Sequence, residues 1–324
     1  MSQKSYVNLS QFSVELTLEE KEYREFSSSD ADGTMFMRVY EIMPGVEIYY
    51  NDYHTRKHFK GKMDVGNFYQ LAYSHEGIYQ SKINTYQELR LSESELMLLS
   101  NVAYTHDACM PLGFYTGFNV MFYPECFSEE TFSVFKHFSI DIYQIFNGLL
   151  NTKAIIVLAC NEEISDILER LYHHSLEGSI PHMKLEMINL LLQMKNPGGF
   201  KEGRYKYLSP ATLQTVKAVK TYIEKNMTRH TTIKELAEQF HISRTSLKDH
   251  FKAAYGYAPY EYLKRYRMHR AAELLRATSL TISEISEMTG YENASKFSSA
   301  FRSVFGLPPM AYKKIWLNRA DAAK

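Results

Sequence analysis

Residues 232 to 314 carry one short pattern twice, and this internal repeat limits what the chain can fold into more than any other feature. Ile233, Leu236 and Ala237 recur 49 residues later as Ile282, Ile285 and Ser286. Leu247, Phe251, Gly256, Pro259 and Tyr262 recur 50 residues later as Phe297, Phe301, Gly306, Pro309 and Tyr312. The offset changes inside the pattern, so the second copy has one extra residue between its two apolar stretches. Two short helical stretches separated by a turn make the unit that lays a recognition helix in a DNA major groove. Two copies in tandem imply two adjacent grooves read by one chain.

Charge separates the chain at about the same place. The net charge is zero, but residues 1 to 200 hold 15 Lys and Arg against 26 Asp and Glu, and residues 201 to 324 hold 22 against 11. The halves therefore carry −11 and +11. A basic end on an acidic body fits a polyanion-binding module attached to a domain with another task. Cys109, Cys126 and Cys160 are odd in number and show no C-x-x-C spacing, which fits reduced thiols in a cytosol rather than a disulfide framework. No stretch has the character of a signal peptide or the roughly 18 apolar residues of a membrane span. The expectation is a cytoplasmic protein with no membrane partner.

Residues 34 to 125 read as β-structure, since apolar and aromatic residues alternate with polar ones between short turn clusters. Phe114, Thr116, Phe118, Val120 and Phe122 keep one parity, as do Tyr69, Leu71 and Tyr73. A turn is expected at His75-Glu76-Gly77, with Tyr79 and Ile83 resuming the strand. Such runs favour a small antiparallel barrel or roll. The period changes at Ser128, a plausible N-cap, after which Phe132, Phe135, Phe138, Ile142, Ile145 and Leu149 follow helical spacing. An apolar run, Ala154 to Ala159, precedes two amphipathic helices near 162–174 and 181–195. Their apolar residues are Ile164, Ile167, Leu168 and Leu171, then Leu185, Ile188, Leu191 and Leu192. These faces can pack on the β-domain, the preferred reading, or pair with a second protomer as a homodimer. Asn196 to Gly203 has the Pro and Gly density of a linker, and Ser209-Pro210 then starts a helix with an N-cap and a first-turn proline. The expected domains are a β-domain over 1–127, a helical segment over 128–196, a flexible linker over 197–208, the double helix-turn-helix over 209–316 and a tail over 317–324.

In the first copy Thr232 to Phe240 is the positioning helix, His241-Ile242-Ser243 the turn, and Arg244 to about Ala254 the recognition helix. In the second these are Thr281 to Met288, Gly290 to Asn293 and Ala294 to Val304. Leu236, Ala237, Leu247 and Phe251 converge on one core and Ile282, Ile285, Phe297 and Phe301 on the other. The opposite faces present Arg244, Thr245, Lys248, Asp249 and Lys252, then Ser295, Lys296, Ser299 and Arg302. Gly290 stands where a turn needs a positive φ. Between the units, Pro259 to Ala277 reads as an amphipathic helix with Lys264, Arg265, Arg267 and Arg270 outside. At about 1.5 Å per residue it spans roughly 28 Å, near the roughly 34 Å between successive major grooves on one face of B-DNA.

The string RYRMHRAAELLRATSLTISEISEMTGYENASKFSSAFRSVFGLPPMAYKK resembles the signature of the AraC/XylS family of bacterial transcription regulators, with its L-L, I-x-x-I, G-Y, F-x-x-x-F and F-G-x-x-P-x-x-Y elements in order. The resemblance covers about residues 209 to 316. Within the family, N-A-S-K-F-S-S-A-F resembles the branch of siderophore-sensing regulators. The N-terminal half is more loosely similar to the cupin-like sensory domains of Firmicute members, around MPLGFYTGFNVMF. The resemblance implies an α+β protein: a cupin-like antiparallel β-roll plus helices, then an all-α domain with two helix-turn-helix motifs. It implies promoter DNA, a small-molecule effector and RNA polymerase as partners, and no cofactor. Carried over residue by residue, the base-contacting positions are Thr245, Lys248 and Asp249, and Ser295, Lys296 and Ser299. Arg244, Lys252 and Arg302 would face phosphates. Asp249 departs from the usual pattern; an acid there suits a cytosine amino group and repels phosphate.

Signals for chemistry are thin. His54 and His58 are four apart, and His173, His174 and His182 cluster, but no segment shows H-E-x-x-H, a P-loop or a nucleophile elbow. The expectation is a regulator and not an enzyme. The alternatives are a metal-cupin enzyme with a DNA-binding tail, and a constitutive DNA-binding protein whose N-terminal domain only oligomerises.

Overall fold

A computed structural model describes residues 14–30, 32–59, 67–82, 88–100, 107–202 and 208–314. The chain divides into two compact units, residues 1–204 and 205–324.

In the first unit the strands are β1 (Glu15–Glu19), β2 (Tyr23–Asp30), β3 (Gly33–Met43), β4 (Val46–Thr55), β5 (His58–Phe59), β6 (Tyr69–Gly77), β7 (Tyr79–Lys82), β8 (Glu88–Leu91), β9 (Glu95–Ser100), β10 (Asp107–Cys109), β11 (Tyr115–Phe122), β12 (Ile155–Cys160) and β13 (Phe200–Glu202). Among the described residues they form two antiparallel sheets, one ordered β1-β2-β3-β4-β11-β6-β9-β12-β13 and the other β5-β10-β7-β8. The strands begin earlier than the expected residue 34. His75-Glu76-Gly77 is the end of β6, and the chain passes from one sheet to the other at Ile78. Ile83 lies outside the described residues.

The single parity read in residues 114–122 captures only half of the burial. Phe118, Val120 and Phe122 join Ile48, Tyr50, Leu71, Tyr73, Leu96 and Leu98 in one core. Tyr115 and Met121 on the other parity join Met35, Met37, Tyr49, Tyr53, Met97 and Leu99 in a second core, shared with Phe59, Leu89, Leu91 and Ala108 of the smaller sheet. Every residue of β4 is buried. A central strand covered on both faces loses the apolar–polar alternation of a half-exposed one.

Helices cover the first core. They are α1 (Glu129–His137), α2 (Ile142–Leu150), α3 (Glu162–Glu177) and α4 (Ile180–Met194). The periodicity over 132–149 implied one helix, but the chain breaks at Ser139, whose φ is 52°, and Asp141 restarts it by accepting a hydrogen bond from the Gln144 amide. Phe132 and Phe138 are consequently exposed, while Phe135, Ile142, Ile145 and Phe146 are buried. Ile164, Ile167, Leu168 and Leu171 of α3 and Met183, Met187, Leu190 and Leu191 of α4 pack onto the sheet. Leu185, expected on the apolar face of α4, is 69% exposed. The run Ala154–Ala159 forms β12, and residues 200–202, expected in a flexible linker, pair antiparallel with it as β13. The first unit therefore includes 128–202 as one fold with the β-domain.

The second unit is helical: α5 (Pro210–Lys225), α6 (Ile233–Gln239), α7 (Arg244–Tyr255), α8 (Pro259–Ala277), α9 (Ile282–Met288) and α10 (Ala294–Phe305). The tail from 315 onward lies outside the described residues. No helix among the described residues is long and apolar enough to cross a membrane.

Replacing the fully buried Leu168 by Ala should destabilise the first unit by about 2–5 kcal/mol, whereas Leu185→Ala should change stability by under about 0.5 kcal/mol. Urea unfolding of both variants checks this assignment of the helix faces.

Candidate nucleic-acid interface

The two copies start their positioning helices with the same local device. Thr232 caps α6 by accepting from the Glu235 amide, and the Glu235 carboxylate accepts in return from the Thr232 amide at 2.7 Å. Thr281 and Glu284 do the same for α9, at 2.8 Å. These reciprocal bonds satisfy amides that a helix start leaves without partners. Both carboxyls are held below their ordinary pKa, chiefly by the threonine amides.

The turns differ as the change of offset requires. After α6, Phe240 closes the helix, His241 takes a left-handed φ of 51°, and the Ile242 amide donates to the Ala237 carbonyl at 3.0 Å. After α9, Thr289 closes the helix, Gly290 has φ 79°, and the Tyr291 amide donates to the Ser286 carbonyl at 2.9 Å. The extra residue falls between that point and Asn293, whose side-chain oxygen accepts from the amides of Ser295 and Lys296 and starts α10. Ser243 starts α7 through the Ser246 amide.

The cores also repeat. The rings of Phe251 and Tyr262 lie 5.4 Å apart at 68°, and those of Phe301 and Tyr312 lie 5.4 Å apart at 76°. Leu236, Ala237, Leu247 and Phe251 are buried in the first copy, and Ile285, Ser286, Phe297 and Phe301 in the second. Ile282 is only partly buried. Ala237 and Ser286 are small residues at equivalent buried positions.

These cores leave Arg244, Thr245, Lys248, Asp249 and Lys252 exposed along α7, and Ser295, Lys296, Ser299 and Arg302 exposed along α10. Positions 245, 249 and 252 correspond to 295, 299 and 302. The lysines do not correspond. Lys248 matches the half-buried Ser298, and Lys296 matches the half-buried Ser246, so the two helices present different patterns. Among the described residues no ion pair engages Arg244, Lys248, Lys252, Lys296 or Arg302.

The cations of α8 behave otherwise. Lys264 and Arg265 pair with Glu261, at 3.8 and 3.3 Å, and Arg265 lies over the Tyr257 ring at 4.5 Å. Arg270 pairs with Glu273. Arg267 turns inward, where its Nε donates to the Met227 carbonyl at 2.6 Å. Of the four cations expected outside α8, Lys264 and Arg270 remain partly exposed in pairs along the helix, and Arg267 is the correction, since it reaches the Met227 carbonyl. Lys313 likewise donates to the carbonyls of Thr278 and Leu280 at the end of α8, both at 3.2 Å. Arg267 had a sequence signal, because it stands four residues after Leu263 and four before Ala271, both buried. That spacing puts it at the edge of the buried stripe.

A family model described as a helix-turn-helix domain matches residues 236–315. The chain is 38% identical over 94 residues to a putative AraC-like transcription regulator of Streptomyces lividans, covering 29% of this chain and 31% of that protein. The C-terminal domain is of the AraC/XylS family. The AraC/XylS-type domain is also 40% identical over 81 residues to the transcriptional activator RhaR of Pectobacterium carotovorum, covering 25% of this chain and 28% of that protein. Among solved structures it is similar to the C-terminal domain of AraT, a response regulator from Geobacillus stearothermophilus, at 33% identity over 34% of this chain and 88% of that one, with a TM-score of 0.31. The chain spans about a third of the length of the curated relatives it matches.

In the first unit His54 and His58 do not converge, whereas the later histidines meet in pairs. His54, buried in β4, has its Nε2 2.8 Å from the Asp52 carboxylate, while the exposed His58 lies in the other sheet. His174 and His182 stack with ring centres 4.8 Å apart, and His173 meets the edge of His75. Among the described residues no group of three or more His, Cys, Asp or Glu is placed to hold a metal ion.

Thr232→Ala and Thr281→Ala should each destabilise the C-terminal domain by about 1 kcal/mol. Because Glu235 and Glu284 are held below their ordinary pKa in the folded chain, their bonds contribute above the ordinary carboxylate value and are lost as pH falls through the lowered one. Thermal unfolding at neutral and acid pH should therefore show the deficit of the two variants shrinking toward acid.

Proposed function

We propose that this chain is a transcription regulator that reads promoter DNA through α7 and α10. The observation that carries the proposal is the pair of equivalent exposed recognition helices, each with cations that form no ion pair among the described residues, in the basic half of the chain. Thr245, Lys248 and Asp249, with Ser295, Lys296 and Ser299, are assigned to base edges. Arg244, Lys252 and Arg302 are assigned to phosphates, which position the protein without reading sequence.

Lys248→Ala and Lys296→Ala should each cost about 1–3 kcal/mol at a defined base pair, whereas Lys252→Ala should weaken binding to all sequences alike. Selection from randomised duplexes checks this, and unchanged base preferences in the first two variants would remove those lysines from base reading. Binding should also weaken steeply with added salt as phosphate counterions are released; a titration flat in salt contradicts the proposal.

The N-terminal domain is proposed to sense a small, partly apolar effector. Support comes from its second core, where Met35, Met37, Met97 and Met121 surround Tyr49, Tyr53 and Tyr115 between the two sheets. Methionine repacks readily around irregular shapes, and the tyrosines add polar groups to an apolar interior. The Tyr53 hydroxyl donates to Asn51 at 2.7 Å, and the Glu47 carboxylate, its pKa raised by burial, accepts from Tyr49 at 2.5 Å and Arg24 at 2.6 Å. An effector acts only by preferring one arrangement of the chain over another. Deleting residues 1–204 should leave DNA binding intact and abolish its response to the inducing condition. A reporter strain in which the truncated protein still responds would return the N-terminal domain to a purely oligomerising role.

A further inference from the structure

We infer that Arg267 is a positioning residue for DNA reading, a clasp that fixes the second recognition helix against the first and so sets the base-pair spacing at which the two units bind. The inference rests on the DNA-binding reading above.

Arg267 stands near the middle of α8, where the helix leaves the first core and enters the second. Its Nε donates to the Met227 carbonyl at 2.6 Å and its Nη2 to the Arg229 carbonyl at 3.3 Å. Both carbonyls belong to the loop between α5 and α6, and α5 packs on the first copy, with the Tyr222 ring edge-on to Phe240 at 5.9 Å. Carbonyls just past a helix C-terminus favour a cation, and the rigid fork of a guanidinium can hold two at once. The same guanidinium lies 5.5 Å from the centre of the Tyr291 ring, in the turn of the second copy. One side chain thus touches both the α5–α6 loop and the turn of the second helix-turn-helix copy. Burial lowers the Arg267 pKa from its ordinary value, yet an arginine stays charged at any physiological pH.

Gly290 shows independently that the second helix-turn-helix copy touches the α5–α6 loop within the C-terminal domain. A β-carbon added there would lie 2.7 Å from the Thr228 α-carbon and 3.1 Å from both the Met227 carbonyl oxygen and Arg267 Nη2. The turn of the second copy therefore sits directly on the loop between α5 and α6. The equivalent His241 has a left-handed φ of 51° and an exposed imidazole. A side chain is accommodated at this turn position in the first copy, where it is exposed, so the close approach, beyond the backbone angle, is what demands glycine at 290.

Two binding units linked rigidly at the right separation act at a high effective concentration on their paired sites, and a looser link spreads that concentration over many separations. Without the clasp the second unit is oriented by α8 and its own core alone.

The test uses the full-length protein and a pool of randomised duplex DNA, with the spacing between the two enriched half-sites as readout. Wild type and Arg270→Ala, which removes a charge from the same helix and leaves the clasp intact, should return one spacing. Arg267→Ala should spread over about one base pair on either side and bind the wild-type sequence about tenfold more weakly at matched salt. Arg267→Lys, able to reach one carbonyl at a time, should fall between. If circular dichroism shows Arg267→Ala unfolded, Arg267→Lys and Gly290→Ala decide by the same readout. Identical spacing and affinity in the folded clasp variants overturn the inference and leave the DNA-binding reading standing. A wild-type selection that yields a single half-site also overturns it, and one that enriches no sequence overturns both readings.

Discussion

A helix of seven residues followed by one of twelve cannot bury a core by itself, and the C-terminal domain depends on the wall that α8 provides to both such pairs. Its first half gives Tyr262, Leu263 and Tyr266 to the first copy, and its second half gives Met268, Ala271, Ala272 and Leu275 to the second. The shared helix makes the copies one body. It also explains why charges on α8 are occupied internally, since a helix packed on two sides has little surface left to offer a ligand.

Much of this domain was legible in the sequence because its determinants are local. The N-cap and proline at Ser209-Pro210 and the apolar spacing each act over three or four residues, as do the Thr-x-x-Glu boxes at 232 and 281 that the structure reveals. The ends of α8, Pro259 and Ala277, coincide with the expected ones. The extra residue in the second turn was visible as a change of offset. The seat of Gly290 on Thr228 was not visible, because it joins residues far apart in sequence, and only the positive φ could be anticipated. Assignment of single side chains to bases or phosphates rests on the resemblance and on exposure.

The N-terminal domain was less legible for a converse reason. Its sheet is buried on both faces, so alternation, the signature of a half-exposed strand, is blurred in β4 and β11. The apolar spacing from 132 to 149 runs through the break at Ser139, where a left-handed residue interrupts the helix without disturbing the periodicity. The glycine and proline density of 197–199 was read as a linker, but such residues also make turns that lead into a strand. Here it returns Phe200 to the sheet, where it joins the first core.

That last strand has a consequence for synthesis. The two units differ in how far apart along the chain their partners stand. In the C-terminal domain a helix pairs with the next one or two, whereas β9 waits for β12, whose Leu158 faces Leu96, and β12 waits in turn for residues 200–202. As the chain leaves the ribosome, the edge of the acidic domain stays open until β13 has emerged, immediately before the basic domain begins. Closing long loops is slow and local helical contacts form fast. Although made first, the N-terminal half is the slower to complete, and its open sheet edge is the part of the nascent chain most exposed to mispairing.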